Sequence, residues 1–500
     1  MTDTSGVPEP ERTQPAQTHK APLTSLHHQA RRIFAHALDS CGVELVLRQR
    51  IRCDGITLEV QHSPYLNRDD RPLRIPLEDY RRILIIAIGK AAIPLTDGLL
   101  SILPRRPRIR GICAAPTRPA KRDWRIRYYA GGHPLPNRDS FRAARQALRL
   151  LRRATDKTLV LYLISGGGST LFDLPLEPEI MLADTIAFHQ ALVNSGATIA
   201  EINTLRKHFS AVKGGRLALA ARAATKLTLQ IIDVPSQHSS TVASGPTLED
   251  PSTVEDCRHL LERHHLLEKF PPSVRRFFSR PDLPETPGDK AELKRRAEEY
   301  AAAKAAGLRS FVHTYVGDVP LGINWLVPLL SNRDLLHAAN QHAATLGYHV
   351  VVDNACDDWP YDQAARHLVE RLIALRSQHP GQKICLLSGG EVTVTVDRVP
   401  GTGGRNQHFA LACALLLAER LPTAAVVCLS AGSDGVDGNS QAAGGAVDPT
   451  TASRARALGL DPARALAAFD SSPLLSALGD TLTTGPTGNN LRDLRIFLSA

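Results

Sequence analysis

The sequence predicts an α/β fold in two units, the first built on a doubly wound parallel sheet, and three observations carry this. Short apolar runs at 84–88, 112–115, 159–164 and 227–234 alternate with Ala/Leu/Arg-rich helical stretches such as 140–153 and 181–195. Alternation of that kind belongs to parallel sheets with helices on both faces. Gly89-Lys90, Ser165-Gly-Gly-Gly168 and Asp233-Val-Pro235 stand at the carboxyl ends of those runs, where open α/β sheets bind their ligands. The third observation is length: 500 residues exceed the roughly 250–300 at which one core stops growing.

Taken in order, residues 1–24 are polar and Pro/Thr-rich, an expected disordered tail with no apolar segment of a secretory signal. Helical periodicity runs from about 27 to 50 through His27, Ala30, Ile33, Phe34 and Leu38. The first unit spans 25–265. From 266 to 335 the pattern loosens, and Pro271-Pro272, the stretch 281–288 and a charged helix expected over 290–304 read as a linker with an embedded helix. The second unit, 336–500, has expected strands at 349–352, 383–387, 392–396 and 425–429. Glu391-Val-Thr-Val-Thr-Val-Asp397 alternates with period two, which predicts a mixed sheet there.

Composition narrows the function. A hydrophobic share of 43% with 22% charged residues is ordinary for a globular protein, and no run approaches the roughly 18 apolar residues of a membrane span. The eight cysteines are scattered without a Cys-x-x-Cys pair, and read as reduced buried thiols of a cytoplasmic protein rather than a zinc site. A formal charge of +10 raises the question of nucleic acid, but only Arg105-Arg-Pro-Arg-Ile-Arg110 forms a basic run and aromatics are 5%, too few for stacking platforms. Small anionic substrates account for the charge, with no nucleic acid and no membrane as partner. A homodimer is compatible with the sequence, which does not fix the oligomeric state.

Chemistry concentrates at the turns. The run 159–164 feeds Ser165-Gly-Gly-Gly168-Ser169-Thr170, and the pattern recurs where 383–387 feeds Ser388-Gly-Gly-Glu391. Such glycines let the backbone turn sharply and offer N–H groups to an anion. Ser165, Gly166, Gly167, Gly168, Ser169, Gly389, Gly390 and Glu391 are therefore candidate phosphate or substrate contacts. Lys90 follows a strand and opens a helix, a place that favours an anion; a solvated lysine is the bland alternative. Arg405, in Gly401-Thr-Gly-Gly-Arg-Asn-Gln407 with Asn406 beside it, could bridge phosphoryl or carboxylate oxygens. Asp434 and Asp437, in Ser430-Ala-Gly-Ser-Asp434-Gly-Val-Asp437-Gly, could hold Mg²⁺, although Asp-Gly turns are common. Asp233 either faces a cleft or caps a turn. Arg206-Lys207-His208 and Lys213-Gly-Gly-Arg216 add cations near a helix, Lys207 among the binding candidates, with a solvated face as their alternative.

Absences also decide. Gly89-Lys90 lacks the earlier glycine of a Walker A loop, the protein-kinase His-Arg-Asp and Asp-Phe-Gly signatures are missing, and no Gly-x-Gly-x-x-Gly or Gly-x-Ser-x-Gly appears where a dinucleotide site or hydrolase elbow needs it. The motifs instead stand in the order of one family. Gly89-Lys-Ala-Ala92, Gly131-Gly-His-Pro-Leu-Pro136, Ser165-Gly-Gly-Gly-Ser169, Asn203-Thr-Leu-Arg-Lys-His208, Lys213-Gly-Gly-Arg216, Ala243-Ser-Gly-Pro-Thr247, Ser388-Gly-Gly-Glu391, Gly403-Gly-Arg-Asn-Gln407, the stretch 430–438 and Thr484-Gly-Pro-Thr-Gly488 follow one another. Over roughly 25–500 the chain resembles the class II glycerate kinases, glycerate 2-kinases of the MOFRL type.

That resemblance implies a Rossmann-like N-terminal domain, a smaller α/β C-terminal MOFRL-type domain and an active site in the cleft between them. It implies transfer of the γ-phosphoryl group of ATP to the 2-hydroxyl of D-glycerate, giving 2-phosphoglycerate, with Mg²⁺. Lys90 and Arg405 match the family's active-site lysine and arginine, and Asp233 is the candidate to activate the hydroxyl or hold the metal. Three positions depart from the usual pattern: Gln237, His408 and Gln441 stand where similar sequences carry acids. Two other functions compete: an NAD(P)H-dependent hydroxypyruvate reductase, against which the missing dinucleotide motif argues, and a catalytically weakened ligand-binding paralogue.

Overall fold

The computed structural model describes residues 20–65, 71–104, 108–235, 241–295, 298, 321–396, 399 and 401–500. Two helices, Lys20–Ser40 and Val43–Arg50, lead into an antiparallel meander of β1 (Ile51–Cys53), β2 (Thr57–Val60) and β3 (Leu73–Pro76). The chain then enters β4 (Arg82–Ile88), whose apolar side chains divide between two cores. Ile83, Ile85 and Ala87 pack with Ala92, Leu95 and Leu99 of the helix Ala92–Ile102. Leu84, Ile86 and Ile88 pack with Ala143, Ala144 and Ala147 of the helix Arg138–Leu151. A strand alternates its side chains, so one buried on both faces must be apolar throughout.

β5 (Ile109–Ala115), β6 (Ile126–Ala130), β7 (Thr158–Ile164), β8 (Thr225–Ile231) and β9 (Asn324–Leu330) complete a sheet ordered β6-β5-β4-β7-β8-β9, with every pairing parallel. This is the doubly wound order, and it reverses direction between β4 and β7. Crevices at such a switch point, beyond the carboxyl ends of the strands, hold the ligand in α/β sheets. β9 comes from the segment expected to be a linker. It carries Pro328 and lies at the sheet edge, where proline is tolerated.

The second sheet runs β10-β11-β15-β12-β13-β14, built from β10 (His349–Val352), β11 (Ile384–Gly390), β12 (Val426–Gly432), β13 (Gly444–Val447), β14 (Thr481–Leu482) and β15 (Asp493–Ser499). Only β10 and β11 pair in parallel. The sheet is mixed as expected, but not through the alternating run. Residues 391–396 form no strand, only an isolated bridge of Thr393 to Pro360. The antiparallel character comes from β15, inserted between β11 and β12, and from β13 and β14 beyond it. β15 also lengthens both neighbours beyond expectation, because Gly390 and Gly432 each lie opposite Asp493.

Helices Leu182–Val193, Ile199–Phe209, Val254–Arg263 and Pro272–Ser279 share a separate core of Phe188, Phe209, Phe270, Phe277 and Phe278. The helix Lys20–Ser40, although first in the chain, packs on the helix Asn332–Thr345, β12 and β15. The expected helix over 290–304 falls largely outside the described residues. All eight cysteines are free, and among the described residues no helix is long and apolar enough to cross a membrane.

Candidate active site

β4 and β7 pair up to their last residues, Ile88 and Ile164, and the two turns that follow touch. Gly89 has φ +120°, and a Cβ on it would collide with the backbone and Oγ of Ser165. Only glycine permits both the conformation and the approach. Ser165 then fixes the first turn: its N–H donates to Ile88 O at 2.9 Å, its Oγ accepts from Ala91 N–H at 3.0 Å, and Lys90 N–H donates to Gly166 O at 2.8 Å. Ser165 thus acts on the loop itself, and Lys90 is brought beside Gly167. In the second turn the N–H groups of Gly166, Gly167, Gly168 and Ser169 have no acceptor among the described residues. Successive unpaired N–H groups form a concavity for an anion.

Asp233 closes this corner. A Cβ on Gly166 would collide with its Oδ2, so the carboxylate lies directly on the glycine turn. Burial pushes its carboxyl up to about 6, with the charges of Lys90 and Arg492 pulling the other way. On another side His133 Nδ1 meets Thr170 Oγ1 at 3.2 Å. Burial and the charges of Lys90 and Arg206 lower the pKa of that ring, keeping it neutral near pH 7.

The second sheet supplies the facing wall. Lys90 Nζ reaches Asp434 Oδ2 at 3.3 Å, a direct link between the two units. Arg405 begins the helix Arg405–Arg420 and grips the fully buried Asp493 with Nε (2.6 Å) and Nη2 (2.9 Å), Nη2 also donating to Glu391 Oε1 at 2.9 Å. Burial and the nearby Asp493 push the Glu391 carboxyl up to about 7, against the pull of Arg405 and Arg492. Arg492 is itself bonded to both oxygens of Asp357, at 2.7 and 2.6 Å. A cavity of about 310 Å³ opens where Val234 and Pro235 meet Asn332, Asn354, Gly389 and Arg492. A larger groove of about 980 Å³, lined by Arg81, Arg108, Arg125 and Lys157, lies at the opposite, amino-terminal edge of the first sheet.

The two glycine motifs differ in structure. Gly389 and Gly390 belong to β11, and their N–H groups donate to Asn354 Oδ1 (2.9 Å) and Asn332 Oδ1 (3.1 Å), while Glu391 N–H donates to Asp357 Oδ1 (3.1 Å). These donors are occupied, so the second motif is not an open cradle. Lys207 stands in a buried ion pair with Asp250 at 2.9 Å. Asn406 accepts from Ser430 Oγ at 2.7 Å inside the protein. Asp437 takes the N–H groups of Asn406 (3.0 Å) and Gln407 (2.8 Å) on its two oxygens, capping that helix. Ser169 Oγ bonds Ser244 Oγ at 2.8 Å. Of the departures, His408 is buried between Tyr361 and Phe469, its pKa lowered to about 4 by burial. Gln441 is exposed, and Gln237 lies outside the described residues.

Among the described residues no group of three or more His, Cys, Asp or Glu is arranged as a ready-made metal site. Mg²⁺ in phosphoryl-transfer sites asks for less, one or two carboxylates with phosphate oxygens and water. Asp434, partly exposed beside Lys90, fits that demand; Asp437, with both oxygens in backbone hydrogen bonds, does not. His133, Arg492 and Asp493 carry no individual signal in the sequence, and Arg206 shows there only as one of the cations of Arg206-Lys207-His208. His133 lay in a noted motif, Gly131-Gly-His-Pro, but Asp493 has no local signature and is found only through strand register.

Residues 384–493 match the MOFRL family, and residues 29–279 match a domain described as of unknown function, DUF4147. A glycerate 2-kinase of Pyrococcus horikoshii is 34% identical over 419 residues, covering 83% of this chain and 87% of that protein. The chain belongs to the MOFRL-type glycerate kinase family. An Agrobacterium vitis protein with the provisional name hydroxypyruvate reductase is also similar, at 32% identity over 85% of this chain and 89% of its own length. The crystal structure of a glycerate kinase from Thermotoga maritima superposes with a TM-score of 0.73 at 29% identity, over 95% of this chain and all of that one. The glycerate kinase fold is therefore an enzyme fold of two α/β units, the first doubly wound, as the sequence predicts.

Proposed function

We propose that the protein transfers the γ-phosphoryl group of ATP to the 2-hydroxyl of D-glycerate, giving 2-phosphoglycerate and ADP. The observation that carries this reading is the meeting of Asp233, Lys90 and the unpaired N–H groups of 166–169 at the switch point of the sheet. A carboxyl with a pKa raised to about 6 is ionised at pH 7, yet basic enough to take a hydroxyl proton as the bond to phosphorus forms. The substrate oxygen attacks the γ-phosphorus, its proton passes to Asp233, and the bond to the β-phosphate oxygen breaks to release ADP. Lys90 and the turn N–H groups counter the charge on the transferring group, the main lever in phosphoryl transfer. Arg405 holds Glu391 and Asp493 in place on the facing wall through Nε and Nη2. Mg²⁺, held by Asp434 together with phosphate oxygens, would neutralise further charge on the nucleotide.

The doubly wound order also suits a dinucleotide, which keeps the hydroxypyruvate reductase reading as the alternative. Against it, the turn after β4 packs on Ser165 and reads Gly89-Lys-Ala-Ala92, without the Gly-x-Gly-x-x-Gly that brings backbone against a pyrophosphate. Cytoplasmic location accords with eight free thiols. Incubation with ATP, Mg²⁺ and D-glycerate, read by ³¹P NMR, is expected to show 2-phosphoglycerate. Oxidation of NAD(P)H by hydroxypyruvate without ATP turnover would replace the kinase by the reductase. Neither activity, with ligand-induced thermal stabilisation retained, would leave a binding paralogue.

A further inference from the structure

One cation near this cleft has no partner among the described residues. The helix Ile199–Phe209 ends in Arg206, Lys207 and His208. Lys207 is paired with Asp250, and His208 Nε2 reaches Ser252 Oγ at 3.4 Å. Arg206 makes no ion pair and no side-chain hydrogen bond among the described residues, and its Nε is buried without an acceptor. A guanidinium cannot shed its proton, and leaving this one buried Nε donor of the half-buried side chain unsatisfied is costly. The acid whose charge acts on it, Asp173, is already engaged: fully buried, it bonds His189 Nε2 at 2.7 Å, Ser210 Oγ at 2.9 Å and the Lys213 ammonium. Pairing among the described residues does not explain Arg206.

Its surroundings point to a ligand. Three residues earlier on the same helix, Asn203 Oδ1 accepts from Ser244 Oγ at 3.0 Å, and Ser244 is bonded to Ser169 Oγ of the open glycine turn at 2.8 Å. Residues three apart share a helix face, so Arg206 lies on the face tied to that turn. There its charge joins that of Lys90 on His133, which touches Thr170 of the same turn. The phosphoryl group already has Lys90 and the N–H groups of 166–169. What a hydroxy-acid acceptor still needs is a partner for its carboxylate, and a planar guanidinium fork matches that group bidentately.

We propose that Arg206, a cation unpartnered among the described residues and carried on the face of a helix linked through Ser244 to the glycine turn, binds the carboxylate of the acceptor substrate and thereby aims its hydroxyl at Asp233. This rests on the reading of the protein as a kinase of a small hydroxy acid.

The test compares D-glycerate with its neutral amide in the wild type, Arg206→Gln and Arg206→Lys, by steady-state kinetics and by calorimetric binding without ATP. The wild type is expected to prefer the acid over the amide by about 10²–10³-fold in kcat/KM. In Arg206→Gln that preference should fall below about tenfold, through KM for glycerate, with KM for ATP within about twofold of wild type. Arg206→Lys, keeping charge without the fork, should recover part of the loss. A structural arginine would instead depress both substrates equally and leave the preference intact, which overturns the inference. If Arg206→Gln does not give a native melting transition, an unchanged KM for glycerate in Arg206→Lys overturns it. A wild-type protein that neither binds nor phosphorylates D-glycerate overturns both this inference and the functional reading; turnover by the wild type with the preference intact in Arg206→Gln overturns the inference alone.

Discussion

Lys90 and Arg405 differ in what their removal does to the protein. The Lys90–Asp434 pair is partly exposed, and such pairs contribute about 0–1 kcal/mol. Lys90→Met is therefore expected to keep the wild-type urea midpoint while kcat falls about 10²–10³-fold; near-native kcat would remove Lys90 from the mechanism. Arg405 is bonded to Asp493, which is wholly buried. Deleting one partner of such a pair typically costs about 3–5 kcal/mol, so inactivity of Arg405→Ala says little until its urea-derived unfolding free energy, expected to drop by that amount, is measured. Asp233 gives a pH signature. Its folded pKa is raised from 3.8 to about 6 by burial, so the folded state binds more protons than the unfolded one across that window. Stability contributed by this group is present below about pH 4 and is lost as pH rises through about 6, by roughly 1–3 kcal/mol. Asp233→Asn should thus be more stable than wild type at pH 8, with the difference closing near pH 4. The wild-type kcat/KM should rise with pH through an inflection near 6, and Asp233→Asn should lose that inflection along with about 10²–10⁴-fold in rate. An unchanged profile in the variant would assign the proton to another group.

At the scale of elements, the glycine turns show what local sequence encodes. β4 and β7 are legible because strands buried on both faces are there almost continuously apolar. β5 and β8 are legible only in part, because Arg110 interrupts the one and Lys226, Thr228 and Gln230 the other. The turns after β4 and β7 are legible because Gly89 and Gly167 occupy conformations that disfavour other residues. Ser388-Gly-Gly390 carries the same letters, yet it is a strand, because β15 pairs with it as far as Asp493. Register between segments a hundred residues apart leaves no mark in either one, which is why Asp493 and the place of β15 in the mixed sheet are not legible. The surroundings of His408 are hidden for a related reason: its sequence position sets it against the acids of similar chains, whereas Tyr361 and Phe469, distant in the chain, make its environment aromatic. Gly166 offers the sharpest test of the first turn. Its φ is not in the left-handed region, so alanine is acceptable to the backbone, and the added Cβ would meet mainly the carboxylate of Asp233. Gly166→Ala is expected to leave the thermal midpoint within a few degrees while kcat drops about 10²-fold or more, as the base is pushed aside. Wild-type kcat would mean that Asp233 need not lie against this turn.

The whole molecule is closed by its first helix. Leu26, Ala30, Ile33, Phe34 and Ala37 of Lys20–Ser40 are buried in one continuous core that holds Val427, Leu429, Ile496 and Leu498 of the second sheet and Ile83 and Ile85 of the first. Polar ties add to it: His27 Nε2 with Asp448 at 2.8 Å, Tyr348 Oη donating to Gln29 at 2.7 Å, and Asn489 Nδ2 donating to Cys41 O at 2.9 Å. The helix therefore belongs by sequence to one unit and by packing to the other, and the core it shares joins the sheets whose loops carry Lys90 and Asp434. Phe34, 1% exposed, is the largest side chain of the set, and truncating a buried phenylalanine costs about 3–5 kcal/mol. If the core couples the sheets, Phe34→Ala destabilises both by the same amount rather than loosening the second alone. Single-tryptophan variants read the two sides separately, Trp325 on β9 and Trp359 beside the second sheet. Their urea transitions should coincide in the wild type and shift together in Phe34→Ala, as one cooperative unit requires. A Trp359 transition that moves to lower urea while that of Trp325 stays would show that the second sheet unfolds by itself, and the pairing of Lys90 with Asp434 would then depend on a hinge rather than on a shared core.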